Sequence, residues 1–350
     1  MSDPRPAEHG SGYIVGPVYD HFFFIWSPVW LMALAGGLAV LGVADLELTL
    51  GDGEGAKRFY LFPTMALALS MGHVFAVYFR SHLNPKIFRL HPWRFTVVPL
   101  AVLAAILSSE VLLVAFAVFI TWFDNWHSAL QTFGLGRLYD MRAGNDPLAG
   151  RRLDIGLALV TFLGPILAGA TLAASLYDFE RFADVGLVEI ARFPGWVLAH
   201  QLWLTVPILI GGVGYVVFYV VAYARLARRG YRVSAQKVLL WSALALTSLF
   251  MWGFDSFGQS FVVMESFHAL QYLALVWWSE EKNLRQVLRL DRAKAGRLVA
   301  FVIFVGASLF VGVWAALFSD TRVELAVFLV IEFQHYWYDG FIWSVRKRQV

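Results

Sequence analysis

Ten apolar runs of roughly membrane length succeed one another in this chain, at about 22–44, 59–79, 94–109, 112–136, 153–175, 200–224, 236–255, 258–279, 298–318 and 324–345. A helix needs about 20 apolar residues to cross the hydrocarbon core of a bilayer. Backbone in that medium must satisfy its own hydrogen bonds, which a helix does. The runs therefore predict an all-α, polytopic bundle of about ten transmembrane helices. Composition agrees, with 59% hydrophobic and 15% charged residues and a mean hydropathy of +0.62, values of an integral membrane protein. Residues 1–16 are polar and read as a short cytoplasmic tail before an uncleaved first span. Residues 17–350 then form one transmembrane domain. Ser108-Ser109-Glu110 and Asp255-Ser-Phe-Gly258 read as turns between runs, and Tyr177 to Trp196 as an amphipathic helix on the outer surface.

Charge supplies the orientation. Of the 28 Lys and Arg residues, 22 follow the even-numbered runs, whereas the opposite connections carry acids such as Asp45, Glu54, Asp178, Glu189 and Asp320. Cations stay on the cytoplasmic side of a membrane, so both termini are expected there, most simply in a bacterial inner membrane. The net charge of +3 is then a matter of topology, and no nucleic acid is called for. The absence of cysteine excludes disulfides, iron–sulfur clusters and thiolate-bound haem.

Three times an acid stands three residues before a histidine inside an apolar run: Asp124-Asn-Trp-His127, Glu265-Ser-Phe-His268 and Glu332-Phe-Gln-His335. With 25 acids in 350 residues, nine histidines should yield fewer than one such pair by chance. On a helix this spacing puts both side chains on one face, about 4.5 Å apart along the axis. The Glu-x-x-His pair is also the repeating unit of di-iron carboxylate sites in helix bundles. Gln131 and Gln271 extend two of the stripes as outer hydrogen-bonding partners, and Asp339 extends the third. The similar segments Trp126-His-Ser-Ala-Leu-Gln131 and Phe267-His-Ala-Leu-Gln271 suggest a weak internal repeat relating the fourth and eighth spans.

At about 1.5 Å per residue, His73, His127, His268 and His335 lie roughly 10–18 Å from the basic ends of their helices. Four histidines at one level on four helices can converge. His200 belongs near the opposite edge, and His82 and His91 belong to a solvated or lipid-facing basic loop. Arg80 reads as a snorkelling anchor. The expected metal site is therefore His73, Asp124, His127, Glu265, His268, Glu332, His335 and Asp339. The bland alternative is that each acid–histidine pair merely satisfies itself by hydrogen bonding.

Imidazole and carboxylate ligands suit non-haem iron, expected here as two ions, with zinc or manganese as the other fitting metals. The functional expectation is a membrane oxidoreductase or oxygenase acting on a lipid or isoprenoid. An electron-donor protein would reach it from the cytoplasmic side, and aromatic residues such as Trp126 and Trp337 would wall the cavity. The alternatives are a metal-ion or proton transporter, a bis-histidine haem electron carrier, and a structural or assembly protein. The transporter is disfavoured because the stripes lack a matching polar set in the outer half. The stretch His335-Tyr-x-x-Asp339 resembles motifs of membrane carotene-cleaving oxygenases over a handful of residues, too few to assign a family.

Overall fold

The computed structural model describes residues 12–44, 46–51, 57–318 and 321–343. The expected basic cluster Arg346, Lys347 and Arg348, the acids Asp45, Asp52, Glu54 and Asp320, and most of the expected tail lie outside the described residues. The chain begins with a short turn, α1 (Pro17–Tyr19), a π-helical stretch (Asp20–Ile25) and α2 (Ser27–Val40). Strands β1 (Glu47–Leu50) and β2 (Lys57–Tyr60) then pair antiparallel, Glu47 opposite Tyr60. This hairpin is the departure from an all-α chain. The long helices follow: α3 (Leu61–Ser81), a short α4 (Pro85–Leu90), α5 (Pro92–Ser108), α6 (Glu110–Arg142) and α7 (Arg151–Ala168).

After α7 come α8 (Leu172–Ser175), a 3-10 stretch (Tyr177–Val185), α9 (Val188–Ala191) and α10 (Phe193–Ala199). The single amphipathic helix expected over Tyr177 to Trp196 is thus three short pieces. Gly186, at φ 80°, and Pro194 interrupt it. Its apolar side does face inward, since Phe182 packs on Val114 and Val118 of α6. The chain ends with α11 (Gln201–Arg228), α12 (Ala235–Phe254), α13 (Phe257–Val287), α14 (Gly296–Phe318) and α15 (Arg322–Ile342).

Helix starts are chemically marked. Ser109, Ser234 and Ser256 each accept a hydrogen bond from the backbone amide three residues on, and Thr321 with Glu324 forms a capping box. Both turns expected from sequence, at Ser109 and at Asp255–Ser256, separate helices as anticipated.

Five helices (α3, α6, α11, α12 and α14) are long and apolar enough to cross a membrane, and up to seven spans result if two bent pairs each count as one. The first pair bends by 59° at Trp26, the second by 102° after Ala168. At the second bend the chain is held to α12 by the Ala170 amide, which donates to the Gly253 carbonyl at 2.9 Å. Helices α13 and α15 are long enough but fall short in apolarity, because they carry the acids, histidines and amides singled out above. The described residues thus give five to seven candidate spans against the ten expected.

Four helices form the centre. Helix α3 packs on α13 and α15, and α6 packs on the same two, closing a ring. A second helix, α14, lies tightly against α3. A Cβ built on Gly72 would lie 2.7 Å from the Ser308 carbonyl oxygen, so glycine at this position permits the backbones to approach. That contact fixes the rotation of α3 beside His73.

Candidate metal centre

Each of the four central helices delivers one histidine to the axis of the ring: His73 from α3, His127 from α6, His268 from α13 and His335 from α15. Going round the ring, imidazole centroids stand 4.8 Å apart for His73–His268, 5.3 Å for His268–His127, 4.5 Å for His127–His335 and 4.8 Å for His335–His73. Neighbouring rings are steeply inclined, between 66° and 89°. The rings therefore meet edge to face and are not stacked.

All four histidines are buried, at 6% exposure or less. The Nε2 atom of every one lacks a hydrogen-bond partner in the protein. Buried polar atoms are almost always paired, and leaving one unpaired costs about 1–3 kcal/mol. Unpaired imidazole nitrogens gathered in an apolar interior are what a metal-binding set requires, since a bound ion would satisfy them. Metal–imidazole bonds of about 2.0–2.1 Å bring ligand nitrogens to about 3–4 Å. The ligand atoms of His73, His268 and His335 already lie within 4.8 Å of one another, as do those of His127, His335 and Asp339.

Asp339, one turn past His335, faces the same centre. Its Oδ2 stands 3.8 Å from Nε2 of His127, while its Oδ1 accepts from the Tyr272 hydroxyl at 2.8 Å and the Trp343 indole at 2.9 Å. Tyr272 also lies edge-on to His335 and His73. Carboxylates held in this manner orient and tune metal centres. The signal for Tyr272 and Trp343 was available in the sequence, because each stands four residues after a site residue, His268 and Asp339.

The acids three residues before the histidines are placed differently. Neither close-set trio contains Asp124, Glu265 or Glu332. They form a layer one turn toward the helix N-termini. There Asp124 meets the Glu265 carboxyl and the Tyr336 hydroxyl, Ser70 donates to Glu265 at 2.9 Å, and Glu332 lies within electrostatic reach of Asp124. The four helices run parallel through the centre, so residues at equal offsets meet each other. Acid therefore meets acid, and histidine meets histidine. The layer continues outward to Thr121, whose hydroxyl donates to Asp178 at 2.8 Å.

Among the described residues, Gln131 and Gln271 hydrogen-bond to no imidazole. Gln131 donates to the His268 backbone carbonyl at 3.0 Å and to Gln271 at 3.2 Å, and Gln271 donates to the Phe24 carbonyl at 2.7 Å. They lock α6, α13 and the π-helical stretch together just below the ring.

The remaining histidines stand apart. His200 hydrogen-bonds to the Trp196 carbonyl and packs between Trp196 and Trp203. His82 is half-buried: it contacts Ser81 and the Phe95 carbonyl, and burial holds its pKa below the usual imidazole value. His91 packs against Phe341. Arg80 does not snorkel. It is 3% exposed, paired with Glu280 at 2.6 Å, and its guanidinium lies 3.9 Å from the centroid of the Trp343 ring.

Trp126 lines a groove with Val118, Phe119, Trp122, Phe123 and Phe179, about 440 Å³ in volume and with an apolar lining. Phe123 in its wall touches Tyr336, which touches His127. Trp337 is stacked on Phe333 and is not part of this groove.

No protein-family description matches the chain, and no curated protein or solved structure shows significant similarity to it.

Proposed function

We propose that the chain is a membrane-embedded, metal-dependent oxidoreductase of the non-haem type, acting on a lipid or isoprenoid substrate. The observation that carries the reading is the closed ring of four buried imidazoles with unpartnered Nε2 atoms. The reading takes one ion held by the four histidines, with Asp339 as a fifth ligand or an outer partner, in place of the two-ion site suggested by the Glu-x-x-His pattern; the close-set ligand atoms form two trios that share His335. Asp124, Glu265 and Glu332 then form a proton-carrying layer beside the metal instead of supplying ligands.

All-nitrogen coordination with an adjacent carboxylate suits iron, and zinc and manganese are the metals to exclude. A redox-active ion with an open position would activate dioxygen. The chain's residues would hold the ion, keep water out, and present the apolar groove beside Phe123 to a hydrocarbon substrate. In this reading α5, α13 and α15 also cross the bilayer, which with the seven candidates above gives ten spans with both termini in the cytoplasm. The test is metal analysis with an optical spectrum of detergent-purified protein. Iron without a haem Soret band supports the reading, and a haem spectrum or a metal-free protein refutes it.

A transporter reading gains from one observation. The acid layer between the histidine ring and Asp178, with Asp339 and the Gln131–Gln271 pair on the other side, puts polar groups on both sides of the centre, as a translocation path requires. Metal or proton flux into proteoliposomes, abolished by Glu332→Gln, would establish it in place of the enzyme.

A further inference from the structure

On the opposite side of the ring from the acid layer, an unbroken series of contacts leads from the histidines to the basic end of the bundle. His335 lies 4.5 Å, centroid to centroid, from Tyr272, and Tyr272 lies 6.2 Å from Trp343. Trp343 is half-buried, with the Arg80 guanidinium over its ring. Arg80 pairs with Glu280, and Glu280 accepts from Asn84 at 2.8 Å. Asn84 in turn caps α4 by accepting from the Lys86 and Ile87 amides. The column thus ends beneath a surface helix.

That surface is strongly basic. Lys86 and Arg89 of α4 are exposed, as are Arg289, Arg292 and Lys294 of the connection between α13 and α14. Asp291 is the exposed acid among them, while Glu281 is engaged by Arg285 and Arg297. The two basic segments form one surface, because Ile87 and Phe88 join Leu284, Leu288 and Leu290 in the same apolar cluster, which also takes in Trp343.

We infer that this basic end docks an acidic one-electron carrier protein, and that Trp343 is the point at which the electron enters. The inference rests on the oxidoreductase reading and names its partner. One feature favours a protein carrier over anionic lipid headgroups as the occupant: the cations, complementary in charge to an acidic protein, are gathered over the end of an aromatic column that reaches the centre. The step would balance simply: the carrier would give up one electron, a redox metal held by the four histidines would take it up, and no bond would be made or broken. Tyr272 and Trp343 conduct, and Arg80 positions the indole. Steering by such a patch raises association rates by roughly 10- to 1,000-fold and weakens as salt screens it.

The experiment uses full-length protein in nanodiscs with reduced ferredoxin as the acidic probe and reduced methyl viologen as a small reductant. Ferredoxin binding is measured separately from metal reduction. Binding and ferredoxin-driven reduction are expected to fall with ionic strength, and to drop roughly tenfold or more in the Arg289→Glu, Arg292→Glu, Lys294→Glu triple variant, with viologen-driven reduction unchanged. Trp343→Leu should leave binding intact and, compared at equal bound metal because the variant also removes the indole donor to Asp339, slow ferredoxin-driven reduction more than viologen-driven reduction. Should charge reversal leave ferredoxin binding untouched but abolish association with phosphatidylglycerol vesicles, the patch is a lipid anchor and the inference falls. Salt-sensitive ferredoxin binding to a protein with no reducible metal would uphold the docking surface and overturn the oxidoreductase reading. Reduction by viologen without any ferredoxin binding would do the reverse.

Discussion

Two polar centres are buried in this bundle, and they differ in how far their groups satisfy one another. The first is the histidine ring. The second lies where α6, α7, α11 and α12 meet. There Arg137 pairs with Asp140 at 2.6 Å and with Asp154 at 2.7 Å, and Lys237 pairs with the same two acids at 2.6 and 2.8 Å. Tyr219 and Tyr223 donate to Asp154, and Tyr231 donates to Asp140. Burial and the Asp140 carboxylate raise the pKa of Tyr231, keeping it a donor. Two cations meet two anions, and the charge closes. The histidine ring has the same dryness but no internal closure. A saturated centre of this kind braces a fold, whereas a centre with converging, unpaired nitrogens is set to take a ligand.

The comparison is sharpest in variants that remove one member from each centre. Lys237→Met leaves Asp140 and Asp154 sharing a single cation, Arg137. Breaking a buried pair costs about 3–5 kcal/mol, so thermal denaturation in detergent should show a large loss of stability, while the folded fraction keeps its metal. His268→Ala should act the other way round. Metal affinity, followed by competition with a chelator, should fall about 10- to 100-fold or more, by analogy with the losses seen when outer partners of metal ligands are removed. The metal-free protein should lose no more stability than a cavity requires. If His268→Ala destabilised the metal-free protein as severely as Lys237→Met, the ring would be a second brace and the contrast would collapse.

Asp339→Asn sharpens the account at a smaller scale. It keeps an acceptor for Tyr272 and Trp343 but removes the charge facing His127, and about a tenfold loss of metal affinity is expected. His200→Ala should change neither metal content nor stability by more than about 0.5 kcal/mol, since its ring lies among Trp196 and Trp203. The smallest effect belongs to His82. Its folded pKa is lowered, so below the ordinary imidazole value the unfolded chain binds more protons than the folded one, and stability falls as pH drops through that range. His82→Phe should flatten this part of the pH–stability profile in calorimetry.

Much of the centre was legible in the sequence because helical geometry is regular. Counting back from the basic ends placed His73, His127, His268 and His335 at one level, and the ring joins these four. The same regularity explains why the ligand set read from spacing differs from the close-set one. An i,i+3 step on parallel helices lifts Asp124, Glu265 and Glu332 into their own layer. The i,i+4 step from His335 brings Asp339 to the imidazoles instead. Long-range packing was not legible. Arg137 and Lys237 look like ordinary loop cations until Asp140, Asp154 and three tyrosines from other helices close around them. The 102° break after α7 depends on a backbone contact with Gly253, more than 80 residues away, which local hydropathy does not register.

The central claim is that the four imidazoles hold one ion, and counting that ion tests it most directly. Elemental analysis of the purified, full-length protein, read beside quantitative amino-acid analysis, should give about one iron per chain. The same measurement on a His73→Ala, His127→Ala, His268→Ala, His335→Ala quadruple variant that remains folded in the membrane should give none. Two ions per chain in the wild type would return Asp124, Glu265 and Glu332 to the ligand set. A wild type without metal, or a quadruple variant that keeps it, would contradict the account.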